Sequence, residues 1–270
     1  FILLVIASFT DNQTALVNGY SFTPEKWSLE AYQYIASEWA TIGRAYLMTI
    51  LVTVIGTALS LGITSTFAFA VSNDKLPGHK ILMFLCIFTM LFNGGLVASY
   101  YVYSNIFHIK NTIWALIVPT FLMSPFNVVL VKNYFSNSIS PSILEAARMD
   151  GAGVFAVFTK IVMPLSVPIM ATVGLMTAIG YWNDWTNGLY YLTENGGSQY
   201  YTIQLVLNRI NENINFLANN SDVAAKAAQQ LPSTTMRMAI AVIGILPIMC
   251  AYPFFQKYFV KGITLGGVKE

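Results

Sequence analysis

Five stretches of this chain run the length of a bilayer crossing without one charged residue: Ala45–Val71, Ile81–Phe107, Asn111–Val131, Ile161–Asn183 and Met238–Gln256. They are 27, 27, 21, 23 and 19 residues long. The hydrocarbon core of a membrane takes about 20 apolar residues to cross as a helix. A soluble domain carries about 25% charged residues. Only 10% of these 270 residues are charged and 56% are hydrophobic, too few charges to cover a water-facing surface. A net charge of +2 gives no reason to expect a nucleic-acid partner.

These runs predict an all-α, polytopic membrane protein forming a single domain over residues 1–270. The expected spans lie at about 1–9, 45–71, 81–104, 112–131, 162–183 and 238–257. Phe1–Phe9 covers only about half a bilayer at about 1.5 Å per residue. It reads as the outer end of a sixth span that begins before this sequence. The other reading, a leftover signal-peptide core, lacks the small-residue cleavage pattern that should follow it.

Orientation follows the lysines and arginines of the loops. With the first span running outward, the inner loops hold Lys75, Lys80, Lys132, Arg148, Lys160, Lys257, Lys261 and Lys269, a balance of +4 after their acids. The outer loops come to −2. Residues 10–44 and 184–237 are then extracytoplasmic, and 133–160 is cytoplasmic. The segment 184–237 is rich in Asn, Gln and Tyr, with a helix-like piece at Ile203–Asn213. Such a surface suits a soluble partner or a sugar, or is plain solvated loop.

The long inner loop reads KNYFSNSISPSILEAARMDGAGVFAVFTK. A loop of this length usually has a function or a structure of its own. Ser140-Pro141 predicts a helix start, with proline at the first position where its missing N–H costs nothing. Ser142 and Glu145 also stand at capping-box spacing. Leu144, Ala147 and Arg148 continue at helical spacing. Gly151 and Gly153 close the piece, since glycine accepts the left-handed conformation. A second helix starts near Val154, and Pro164 and Pro168 fall in the first turns of the next span. The small alanine face allows close approach of another surface, and Glu145 and Arg148 supply charge. These features fit a docking element or a stiff connector equally.

Glu145-Ala146-Ala147, then Gly151, then Ile161-Val162-Met163-Pro164 resembles the EAA signature of ABC importer permeases, with Met163 where leucine is usual. The stretch ILEAARMDGAGVFAVFTKIVMPLSVPIMAT resembles the maltose-type inner permeases. IGYWNDWTN and NTIWALIVP are similar to lipo-oligosaccharide and complex-polysaccharide permeases. The tail FFQKYFVKGITLGGVKE, with Gly266, Gly267, Val268 and Lys269, resembles that carbohydrate group. The resemblance implies a type I ABC importer permease fold. It also implies that Glu145, Ala146, Ala147, Arg148, Asp150, Gly151, Ile161 and Pro164 couple the chain to an ATPase, with the Gly-Gly-Val-Lys tail near it. The implied partners are a second permease subunit, an ATP-binding subunit dimer, an extracytoplasmic solute-binding protein and membrane lipid. The implied cargo is an oligosaccharide, and the implied place is the cytoplasmic membrane of a prokaryote.

The chain has no G-x-x-x-x-G-K-[ST] loop, so ATP and its Mg are expected on the partner subunits and no cofactor on this one. H-E-x-x-H and G-x-S-x-G are also missing, so the chain is not expected to be an enzyme itself. His79 and His108 fall on opposite sides of the membrane and cannot share a metal. Cys86 and Cys250 lie in apolar runs and read as small buried fillers. The spans lack the buried charge of an ion-coupled secondary transporter. A permease for amino acids or peptides shares the loop signature and stays open. For a substrate pathway the candidates are Asn93, Tyr100, Asn127, Tyr181, Trp182, Asn183, Asp184 and Trp185, which combine flat aromatics with amides and hydroxyls. Trp182 and Trp185 also suit an interfacial aromatic belt. Asn93 and Asn127 also suit helix–helix hydrogen bonds, and Asn93-Gly94-Gly95 suits a helix break.

Overall fold

The computed structural model describes residues 1–37, 39–219 and 235–250. Among them the regular elements are helices, and one isolated antiparallel bridge joins Thr10 to Trp27. Two compact units divide the chain. One comprises residues 1–50 and the described residues from 183 onward; the other is Leu51–Trp182.

The first unit opens with α1 (Ile2–Ser8), α2 (Asn12–Asn18) and α3 (Glu30–Ser37). Asp11 starts α2 by accepting the Thr14 amide at 3.2 Å and also pairs with Lys26 at 3.3 Å. Those bonds favour the carboxylate and hold it below its ordinary pKa, the Thr14 amide foremost. Next comes α4 (Trp39–Val71), a 33-residue helix that leaves the first unit at Ile50.

The second unit continues with α5 (His79–Leu91), α6 (Gly95–Tyr101) and a π-helical turn Val102–Ile106. Then come α7 (Trp114–Ile117), α8 (Pro125–Ser138), α9 (Pro141–Met149) and α10 (Val154–Val157). A second π-helical turn, Phe158–Val162, leads into α11 (Met163–Leu165) and α12 (Val167–Asn183). The chain returns to the first unit as α13 (Thr186–Tyr191), α14 (Glu194–Gly197), α15 (Ile203–Asn219) and α16 (Thr235–Cys250).

Among the described residues α4 alone is long and apolar enough to cross a membrane as one helix. Two further pairs reach that length together but are bent, α5 with Gly95–Ile106 by 119° and Val154–Leu165 with α12 by 80°. The continuous span expected at 81–104 is therefore divided. Gly95 sits at φ +81, and the Asn93 side chain accepts its amide at 2.9 Å in place of a helical carbonyl. The span expected at 112–131 is divided too, into α7 and α8. Thr120 between them has φ +69, and Pro125 begins α8. The span expected at 162–183 breaks at Ser166. Pro168 has no N–H to give the Pro164 carbonyl, and its ring would clash there. The Ser166 amide instead reaches Met163 O at 3.1 Å. The span expected at 238–257 starts earlier, at Thr235, and its last residues lie outside the described ones.

Each unit has its own core. In the second, Ala68, Val128, Val131, Val157 and Val162 are the centre, with Leu144 and Ala147 of α9 packed against it. There α4 and α12 meet closely. A Cβ on Gly56 would stand 2.6 Å from the Tyr181 ring. That ring is held by its hydroxyl, which donates to Ile117 O at 2.8 Å, and by Phe121 at 5.2 Å between centroids. In the first unit Ile42, Ala45, Ile203, Ala239 and Ile240 form the centre. Tyr46 donates to Ile243 O. Thr49 Oγ1 accepts the Ile203 amide at 2.8 Å, filling one of the bonds an α15 N-terminus lacks.

Candidate functional site

Helix α9 begins where proline is free to sit, with Ser140 extended before Pro141. Ser140 Oγ bonds Ser142 Oγ at 2.8 Å rather than a backbone amide, so the start rests on proline, not on a side-chain cap. The end is a Schellman closure. The Ala152 amide donates to Ala147 O at 2.9 Å and the Gly151 amide to Arg148 O at 3.1 Å. Gly151 takes φ +80 to allow it, with open space where a Cβ would be. Glycine is needed there for the backbone, not for room.

Two faces result. Leu144 and Ala147 turn to the core of the second unit. Glu145, Ala146, Arg148, Met149 and Asp150 are exposed. Met149 is 84% exposed, Val154 73% and Phe155 76%. Glu145 and Arg148 find no ion-pair partner among the described residues. An open groove of about 270 Å³ runs beside them, lined also by Asp74, Lys75, Phe135 and Ile139. Sequence reading did not select Asp74 and Lys75. Their turn, with Gly78 at φ +83 ahead of α5, meets α9 only through the tertiary fold. Ile161 is half-buried in the second π-helical turn, and Pro164 is exposed in α11. Gly266, Gly267, Val268 and Lys269 lie outside the described residues.

The residues selected for a pathway are divided between the two units. Asn93 is exposed at the α5–α6 break. The Tyr100 hydroxyl accepts from Lys110 Nζ at 2.8 Å. Asn127 is buried and donates to Thr177 Oγ1 at 3.3 Å, joining α8 to α12. Tyr181, only 1% exposed, holds α12 to the last residue of α7, and Trp182 is buried beside it in sequence. Asn183 is exposed. Asp184 is buried and accepts the amides of Thr186 and Asn187 at 3.1 and 3.2 Å. Burial outweighs those bonds and pushes its pKa above the ordinary value.

Trp185, 38% exposed, lines an open groove of about 340 Å³ in the first unit, with Gln204, Asn208 and Asn211 of α15 and Arg237 of α16. The three amides stand at i, i+4 and i+7, one face of a helix. That spacing is visible in the sequence. Its pairing with Trp185 and Arg237 is not.

Residues 63–265 match the family described as binding-protein-dependent transport system inner membrane component. The chain belongs to that family. It is 36% identical over 269 residues to the polygalacturonan/rhamnogalacturonan transport system permease protein YtcP of Bacillus subtilis (strain 168), covering 100% of this chain and 91% of that one. It is 34% identical to Protein LplC of the same strain, covering 100% and 88%. It superposes with a TM-score of 0.81 and 29% identity on a chain from the crystal structure of a bacterial ABC transporter involved in the import of the acidic polysaccharide alginate, covering 96% of this chain and 89% of that one.

Proposed function

We propose that the chain is one half of the transmembrane pathway of an ATP-driven importer of oligosaccharides in a prokaryotic cytoplasmic membrane. The observation that carries this reading is the exposed face of α9. Exposed Met149, followed by exposed Val154 and Phe155 of α10, is costly in water and suits a protein interface, with Glu145 and Arg148 there to give it charge complementarity. An ATP-binding subunit seats on Glu145 to Gly151, and the groove beside Asp74 and Lys75 widens the footprint. ATP binding by the partner dimer draws the two coupling helices together and switches the pathway by alternating access. A second permease subunit closes the other side, and a solute-binding protein delivers cargo from outside. The sugar reading draws support from the similar proteins described above, a polygalacturonan/rhamnogalacturonan permease and an alginate importer.

The test is ATP hydrolysis by the reconstituted complex with its binding protein, against oligosaccharides, amino acids and peptides. Stimulation by glycans is expected, and stimulation only by a peptide or amino acid overturns the sugar assignment. Glu145→Lys and Gly151→Arg are expected to lower stimulated uptake at least tenfold while the protein still inserts. Full uptake with normal ATPase co-purification in both variants would remove α9 from the coupling role.

A further inference from the structure

Among the described residues the groove beside Trp185 is lined by one cation and no acid, and the Glu212 carboxylate is taken up by its lining residue Asn208. The arginine of α15, Arg209, is already committed. Its Nη1 donates to Glu194 at 2.9 Å, and its guanidinium lies 4.3 Å from the Tyr201 ring centre. Arg237 is not so placed. Its Nη2 donates to Asn215 Oδ1 at 2.8 Å, a neutral acceptor, and its Nε is buried without a partner among the described residues. The guanidinium's planar fork matches a carboxylate with two parallel bonds, and its terminal nitrogens keep N–H donors beyond the one given to Asn215. Beside it stand a half-exposed indole and the amides of Gln204, Asn208 and Asn211. Asn208 already donates to Glu212 at 2.9 Å, which fixes its amide with the oxygen as the remaining acceptor.

A flat aromatic face takes the C–H face of a sugar ring, amides take its hydroxyls, and a guanidinium takes a carboxylate. We infer that this groove is a binding site for an acidic sugar residue, a uronate, with Arg237 on the carboxylate and Trp185 under the ring. The inference rests on the carbohydrate reading above. A volume of about 340 Å³ lies at the small end of ligand pockets, which run from about 300 Å³, and fits the end of an oligosaccharide rather than its length. In the proposed orientation the groove faces outward, where cargo arrives. Arg237 then selects acidic over neutral glycans before the pathway is entered.

The experiment uses the whole reconstituted complex with three probes: trigalacturonate, its full methyl ester and maltotriose. The readout is the ratio of acid-stimulated to ester-stimulated ATP hydrolysis and uptake. The wild type is expected to favour the acid, less so at high salt. Arg237→Gln is expected to lower the ratio about tenfold, the worth of one charge-assisted bond, and Arg237→Lys to restore part of it. Asn211→Asp, at an exposed position, places a negative charge at the groove and lowers the same ratio even if the arginine variants fail to assemble. An acid-to-ester ratio unchanged by Arg237→Gln and Asn211→Asp overturns the site. So does a wild type that responds to maltotriose or the ester as strongly as to the acid. A complex deaf to all three glycans but driven by a peptide or amino acid overturns the carbohydrate reading itself.

Discussion

Asp184 shows how one buried carboxylate sets a pH dependence. Its folded-state pKa is raised because burial disfavours the charge more than the Thr186 and Asn187 amides favour it. A carboxylate raised in this way holds its proton more tightly when folded. Its contribution is therefore favourable at low pH and is lost as pH rises from the ordinary carboxylate range through the raised value. Asp184→Asn keeps an acceptor for both amides and removes the charge. The variant's thermal midpoint in detergent is expected to fall less with rising pH over that window than the wild type's. Equal slopes would place the titration elsewhere.

At the scale of elements the second unit turns on the contact of α4 with α12. The Tyr181 ring cannot yield to a Cβ on Gly56, since Ile117 O holds its hydroxyl and Phe121 holds its face. Gly56→Leu is expected to cost about 1–3 kcal/mol by overpacking. Tyr181→Phe is expected to cost about 1–3 kcal/mol by leaving Ile117 O without its donor. Thermal unfolding of the purified protein measures both, and a stability loss under about 0.5 kcal/mol in either would show the contact to be slack. None of this was legible in the sequence, where Tyr181 reads as a candidate for the substrate pathway. Which glycine meets which ring depends on two helices far apart in the chain. Helix α9 was legible, because Ser140, Pro141 and Gly151 act through local backbone chemistry. The breaks at Asn93–Gly95 and Ser166 were half legible. Their glycines and prolines stand in plain view, but an apolar run reads the same whether its helix is straight or bent. The groove around Arg237 was hidden, since only the fold brings α15 and α16 to Trp185.

At the scale of the whole molecule, an alternating pathway needs joints as well as rigid parts. The close Gly56–Tyr181 contact ties α4 to α12, so a change of shape within that second unit is expected at its bends. Pro168→Ala returns an amide to the Pro164 carbonyl and favours a continuous helix. It is expected to lower glycan-stimulated uptake several-fold with assembly retained. Proteoliposome uptake measured beside subunit co-purification tests this, and wild-type uptake would deny the bend a part in the cycle. The bend also restricts the neighbours of this chain. Pro168 leaves the Pro164 carbonyl without its helical donor, and in a membrane such a carbonyl is satisfied by water, a side chain or another polypeptide rather than by acyl chains. The lipid ring around the protein is therefore expected to be interrupted on that flank.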